Sequence, residues 1–207
     1  NGNGNHREIV PEVNPKILKA IEKESGTEMT QTILKMASLK ASDHTSVLST
    51  TTVFNVTSLE HDKYDYIINL HKLNDIIRLD EFLDAVNAKL DVKGYFFCCV
   101  ETKDQRKSRL LDKYPPVLNW IYYFFDFIVK RVLPKLKLTK GLYFFLTRGE
   151  NAVISRAEAL GRLCRAGFII KQESFIGNKL CIEARKTGDP IQANSTNYGP
   201  MIALPRV

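Results

Sequence analysis

The apolar positions of this chain fall into runs of two periods, and the densest stretch runs from Tyr64 to Val100. A tight apolar run, YDYIINL, comes first. A helical pattern follows, with Leu79, Phe82, Leu83, Val86 and Leu90 on one face, and then Gly94 forms a turn into a second tight run, Tyr95–Val100. Strands that are apolar on both faces belong in a buried parallel sheet. An amphipathic helix between them covers that sheet. The stretch therefore predicts a βαβ unit around which the rest can be placed.

Upstream, Asn14-Pro15 predicts an N-cap and first turn for a helix over Lys16–Glu24. Gly26 ends it, and Thr27 opens a second helix to about Leu39, with Met29, Ile33 and Met36 inward. Val47–Val56 is rich in β-branched residues and predicts a strand or strand pair. Downstream, residues 101–113 predict a charged helix that Tyr114-Pro115-Pro116 breaks. Leu142–Leu146 is a short apolar run. Ser155 with Glu158 forms the capping-box pattern of a helix over Arg156–Ala166, closed by Gly167. Phe168–Glu173 and Lys179–Ala184, joined through Gly177-Asn178, predict an antiparallel hairpin. The chain thus divides into an N-terminal helical segment (1–46), an α/β domain (47–186) and a linker rich in Gly, Pro, Asn and Ser (187–207).

Charge changes this picture in one place. The net charge of +7 resides entirely in residues 101–148, which hold 11 Lys/Arg against 4 Asp/Glu. Within them, Trp120, Tyr123, Phe124, Phe127, Ile128 and Val132 fall near one helical face. Lys130, Arg131, Lys135 and Lys137 cluster at the end of the predicted helix, 117–138. Two readings stand. The helix packs on the sheet or on a second copy, or it lies at a membrane interface, with rings at headgroup depth and cations on anionic lipid. Under the second reading Trp120, Phe124, Phe127, Lys130, Arg131, Lys135 and Lys137 are the docking residues, and Asp126 opposes deep insertion. No run of about 18 to 20 apolar residues could span a bilayer. The dense aromatic company of these cations argues against nucleic acid as partner.

Candidate chemistry is sparse. The polar start, GNGN, lacks the preceding strand and following apolar helix that a phosphate loop needs. The four cysteines, Cys98, Cys99, Cys164 and Cys181, show no CxxC and no Cys/His pair at ligand spacing. Buried free thiols and no metal are expected. His6, His44, His61 and His71 lie in separate segments, and no Ser or Cys has the His and acid of a triad, so no catalytic residue is predicted. His71 follows a strand end, where ligands of open α/β sheets sit. Asn69, His71 and Asn74 are therefore the candidate pocket lining.

Two resemblances extend this reading. The element order over 47–186 resembles the second half of a class I S-adenosylmethionine-dependent methyltransferase. Asp65-Tyr-Ile-Ile-Asn-Leu70 is similar to that family's fourth motif, Gly94-Tyr-Phe-Phe97 to its fifth strand, and Ser155–Lys186 to its closing helix and antiparallel strands. This resemblance implies a three-layer α/β fold, a Rossmann-type sheet that is mostly parallel with an antiparallel final strand. The family holds its cofactor on a Gly-rich turn followed by an acidic residue. Nothing between Ile9 and Val56 offers that pattern, so no cofactor is expected.

Secondly, NHREIVPEVNPKILKAI, the block from Tyr114 to Gly149 and the tail NYGPMIALPRV resemble the region upstream of the catalytic module in bacterial polyprenyl-phosphate sugar-1-phosphate transferases of capsule and exopolysaccharide synthesis. That implies a non-catalytic regulatory or scaffolding domain on the cytoplasmic side of the bacterial inner membrane. Its partners would be a catalytic sugar-transferase module C-terminal to Val207 and an anionic membrane surface, with homodimerisation left open. The alternative is an active or degenerate S-adenosylmethionine-dependent methyltransferase.

Overall fold

The computed structural model describes residues 14–36, 44–113, 115, 117–132 and 151–191. The GNGN start, His6, the apolar run 142–146, Lys135, Lys137 and the tail from 192 lie outside the described residues, as do the side chains of Lys130 and Arg131.

Helix α1 spans Pro15–Met36. The Asn14 side chain accepts from the Lys16 N–H at 3.0 Å, as its place before Pro15 predicts. The helix breaks at Gly26, which adopts φ 79 and ψ 173, so the two predicted helices meet at a kink that glycine accommodates without a Cβ clash. Ile21, Met29, Ile33 and Met36 face inward.

Strand β1 is shorter than predicted, Thr45–Leu48. The rest of the β-branched run bends away into a short helix α2, Val53–Thr57. Hydroxyls redirect the backbone here. Thr50 Oγ1 accepts from the Thr52 N–H and from Asn55 Nδ2. Thr57 and Ser58 hydroxyls donate to the carbonyls of Phe54 and Asn55. Such local side-chain bonds compete with strand pairing.

Strand β2 (Tyr64–Lys72) ends in a 3-10 turn, Leu73–Asp75. Helix α3 (Leu79–Lys89) then runs directly into β3 (Leu90–Val100). The expectation that Gly94 forms the turn is corrected: Gly94 lies inside β3. A Cβ there would come within 3.0 Å of the carbonyl oxygens of Tyr64 and Asp91, so the close approach of β2 is what requires glycine. Helix α4 (Lys103–Lys113) and helix α5 (Leu118–Phe127) follow, and α5 continues as a π-helical turn, Ile128–Val132. Helix α6 is Arg156–Arg165, with Ser155 Oγ accepting from the Glu158 N–H at 3.1 Å. The hairpin is β4 (Phe168–Ile176) and β5 (Lys179–Lys186).

The five strands lie in the order β1-β2-β3-β5-β4. β1, β2 and β3 are parallel; β5 runs antiparallel to β3 and to β4. Alternate residues of each strand feed two cores. Ile67, Phe96, Cys98, Val100, Leu180 and Ile182 pack under the helices α2, α3 and α6. Tyr66, Ile68, Leu70, Phe97, Cys99 and Cys181 pack under α1. The result is the three-layer α/β methyltransferase-like sheet that the element order predicts. Cys98 and Cys99 lie on opposite faces, and burial pushes the Cys98 thiol up from its ordinary value. Cys99 and Cys181 meet across β3 and β5 with their sulfurs 2.9 Å apart. Cys164 departs from the expectation of buried thiols: it is exposed on α6.

The two halves of the domain are tied behind α3. Lys186 Nζ donates at 2.8 Å to the carbonyls of Asn87 and Leu90, satisfying the end of α3 where a cation also meets the helix dipole. Asn87 in turn donates to the carbonyls of Ala166 and Gly188. Gly167 sits in this knot with φ +83, and a Cβ there would collide with the Gly188 carbonyl and the Asn87 amide. Gly167→Ala is expected to cost about 2 kcal/mol or more, since backbone strain and a clash add. A denaturant midpoint indistinguishable from wild type would show that the Gly188 strand end gives way freely.

Candidate functional site

In an open α/β sheet, ligands bind outside the carboxyl ends of the parallel strands. Here those ends are Leu48, the Asn69–Lys72 end of β2, and Val100. Each is finished by a different set of polar side chains.

After β1 the chain forms the Ser49–Thr52 turn. Asn69, fully buried on β2, closes it. The Asn69 side chain accepts from the Thr50 N–H at 3.1 Å and donates to the Thr50 carbonyl at 3.1 Å and the His71 carbonyl at 3.3 Å. After β2, Asn74 does the same across a wider gap. It accepts from the Glu101 N–H at 2.7 Å and donates to the carbonyls of Glu101 and Ala152 at 2.9 and 2.8 Å. Asp75 accepts from the Asn151 N–H, with His71 Nε2 and Lys72 Nζ at 3.3 and 3.7 Å from its other oxygen.

The end of β3 carries a charge network that the sequence reading missed. Glu101 accepts from Arg109 Nε at 2.6 Å and faces Arg106 at 3.5 Å. Arg106 reaches across to α5 and grips Asp126 with two bonds of 2.7 and 2.8 Å. The Arg106, Glu101 and Asp126 side chains are all nearly buried. Burial lowers the Arg106 guanidinium pKa, the Asp126 bond and charge raise it more, and the net shift is upward. The available signal was Asp126 alone in an apolar run, with Arg106 and Arg109 one helical turn apart on the preceding helix.

One cleft of about 390 Å³ opens at this rim, between α1 and the ends of β1 and β2. Val47, Leu48 and Leu70 contribute its apolar wall, Ser49 a hydroxyl, and Lys23 and Glu24 on α1 its charges. Of the sequence-derived candidates, none lines it. Asn69 and Asn74 are consumed as ties between loops, and His71 stands half exposed beside Asp75. Of the docking candidates, Trp120 and Phe124 are more than half exposed on α5, while Phe127 is half-buried. Among the described residues no group of His, Cys, Asp or Glu could hold a metal ion, and no helix is long and apolar enough to cross a membrane.

An S-adenosylmethionine site can be tested against these residues. It needs a turn after the first strand whose backbone a ligand can approach. The Ser49–Thr52 turn has no glycine, and its backbone amide and carbonyl at Thr50 are already bonded to Asn69. The residues present do not fit that cofactor.

No family model and no curated protein matches the sequence. Solved structures do resemble the fold. An S-adenosylmethionine-dependent methyltransferase from Methanosarcina mazei aligns at TM-score 0.41 and 15% identity, over 64% of this chain and 64% of that one. Another, from Thermotoga maritima, aligns at TM-score 0.39 and 13% identity, over 62% and 59%. A third, from Mesorhizobium loti, aligns at 0.39 and 13%, over 63% and 67%. The chain therefore spans about three-fifths of the length of such structures, and the likeness is one of fold. It corrects the expectation of a non-catalytic regulatory or scaffolding domain of a sugar-phosphate transferase. The solved structures named above are all methyltransferases.

Proposed function

We propose that this chain is a degenerate domain of the S-adenosylmethionine-dependent methyltransferase type, which keeps the sheet but has closed the cofactor turn. The observation that carries this reading is the pair of bonds from the Asn69 side chain to the Thr50 amide and carbonyl. They fill the position at which a ligand would meet bare backbone. Among the described residues a cleft under α1 is open to a ligand, where an apolar floor lies beside one cation and one anion, Lys23 and Glu24. Such a wall suits a small zwitterion, held without group transfer.

The second reading, an active methyltransferase, draws support from the same cleft, since it lies at the carboxyl ends of two parallel strands. Isothermal titration with S-adenosylmethionine and S-adenosylhomocysteine separates the two. The degenerate reading expects no saturable heat below millimolar ligand. Micromolar binding of either ligand would establish the active reading in its place.

A further inference from the structure

Helix α5 is built inside out. At about 100° per residue, Leu118, Trp120, Ile121, Tyr122, Phe124 and Phe125 cover an arc of about 200°, and every one of them is exposed. The opposite arc holds Asn119 and Asp126, with Tyr123 and Phe127 half-buried beside them. Its polar residues meet the rest of the protein: Asn119 donates to the Leu111 carbonyl, and Asp126 takes the bidentate grip of Arg106. A helix on a soluble domain turns its apolar stripe to the core and its polar face to water. Here the polar face is turned to the protein and the apolar face outward, and α5 has no buried residue.

From this we infer that α5 docks on an anionic lipid surface, lying in the plane of the interface. Three observations favour lipid as the occupant. The apolar arc is wider than the single stripe that one partner helix or groove would cover, whereas an acyl layer can receive all of it at once. The rings are Trp, Tyr and Phe, which settle at headgroup depth. The charge is complementary: Lys107 on α4 stands 5.2 Å over Trp120 and 5.9 Å over Tyr123, and the helix backbone continues through Lys130 and Arg131. On α5 the one carboxylate, Asp126, is bound to Arg106, so no carboxylate lies on the apolar arc; Glu101 is bound to Arg109, and Asp104 and Asp112 are exposed on α4. Asp126, read from sequence as a barrier to insertion, instead anchors the helix by its inner face.

Trp120 is the one tryptophan of the chain, so its emission reports on this face directly. The full chain is mixed with vesicles of phosphatidylcholine, with and without about a third phosphatidylglycerol. A blue shift of Trp120 with co-flotation is expected on the anionic vesicles. It should weaken several-fold between about 0.1 M and about 0.5 M salt as the charges are screened. Phe124→Ser with Phe125→Ser should reduce partitioning about tenfold or more by removing two buried rings, and it alters only exposed positions, so circular dichroism should be unchanged. Lys130→Glu with Arg131→Glu should lose binding while leaving the rings intact. No shift and no co-flotation would overturn the inference. So would a protein-only blue shift that follows concentration and a dimer mass, which would assign the face to a second copy. Equal binding to neutral and anionic vesicles would remove the charge argument and overturn it as stated.

Discussion

Asn74→Ala is expected to destabilise the domain by about 3 to 4 kcal/mol, because two of the backbone groups it leaves behind are buried and the third is half-buried, and each costs about 1 kcal/mol or more unpaired. For a chain of this size that is a fall of roughly 6 to 15 °C in Tm. The residue is 1% exposed, and its amide bonds both backbone groups of Glu101 and the carbonyl of Ala152. It thereby fixes the ends of β2 and β3 and the approach to α6 in one plane. Asn74→Asp is the informative companion. It keeps an acceptor for the Glu101 N–H but turns oxygen toward two carbonyls, so it should rescue nothing. Thermal and urea unfolding of both variants decide the matter. If Asn74→Ala stayed within about 0.5 kcal/mol of wild type, as a surface or pocket-wall residue would, Asn74 would not be the tie described here.

Removing Arg106 has the second large effect. Arg106→Ala leaves Glu101 and Asp126 facing each other's region without their shared cation, and breaking one partner of a buried pair costs about 3 to 5 kcal/mol. The consequence is also local. Arg106 holds α5 to α4 by two bonds to Asp126, and Asn119 adds a weaker polar link by its bond to Leu111. Amide hydrogen exchange should therefore accelerate through 118–127 before it does in β2 or β3. A double change to Arg106→Met with Asp126→Leu tests the cause. Replacing both ions by apolar residues of similar volume should recover much of the loss. Were the double variant as unstable as the single one, the packing of the arginine stem rather than its charge would be the reason.

Much of the architecture was legible from residues alone. The βαβ unit, the helix break at Gly26, the Ser155 cap, the Gly167 stop and the hairpin at Gly177-Asn178 each rest on local chemistry, and each stands in the structure. The run Val47–Val56 was misread as all strand because β-propensity reports a fit to a half-buried pleat, and here hydroxyl-to-backbone bonds at Thr50, Thr57 and Ser58 outweigh it. Gly94 was misassigned for a related reason: a glycine that permits a turn and one that permits the close approach of a neighbouring strand read alike in sequence.

The candidate site was less legible. Asn69, His71 and Asn74 do lie around the carboxyl end of β2, yet position at a rim does not say which way an amide points. Two of the three turn inward because nearby loops present buried amides and carbonyls that must be paired. The cleft residues Lys23 and Glu24 come from α1, far upstream of the strand ends at Leu48 and Leu70 that they face, and no local pattern marks them.

The sequence by itself determined the order of elements apart from α2, and the concentration of charge and aromatic residues after β3, because each follows from short-range periodicity, capping and composition; the three-layer class rests on the resemblance to class I methyltransferases. Only the tertiary structure decided that the turn after β1 is closed by Asn69, that Arg106 and Asp126 face each other, and that α5 therefore turns its polar side inward. Those facts depend on pairings between residues 19 or more positions apart. Which of several possible donors and acceptors meet across such distances is set by how the layers pack, not by the neighbours of either residue along the chain.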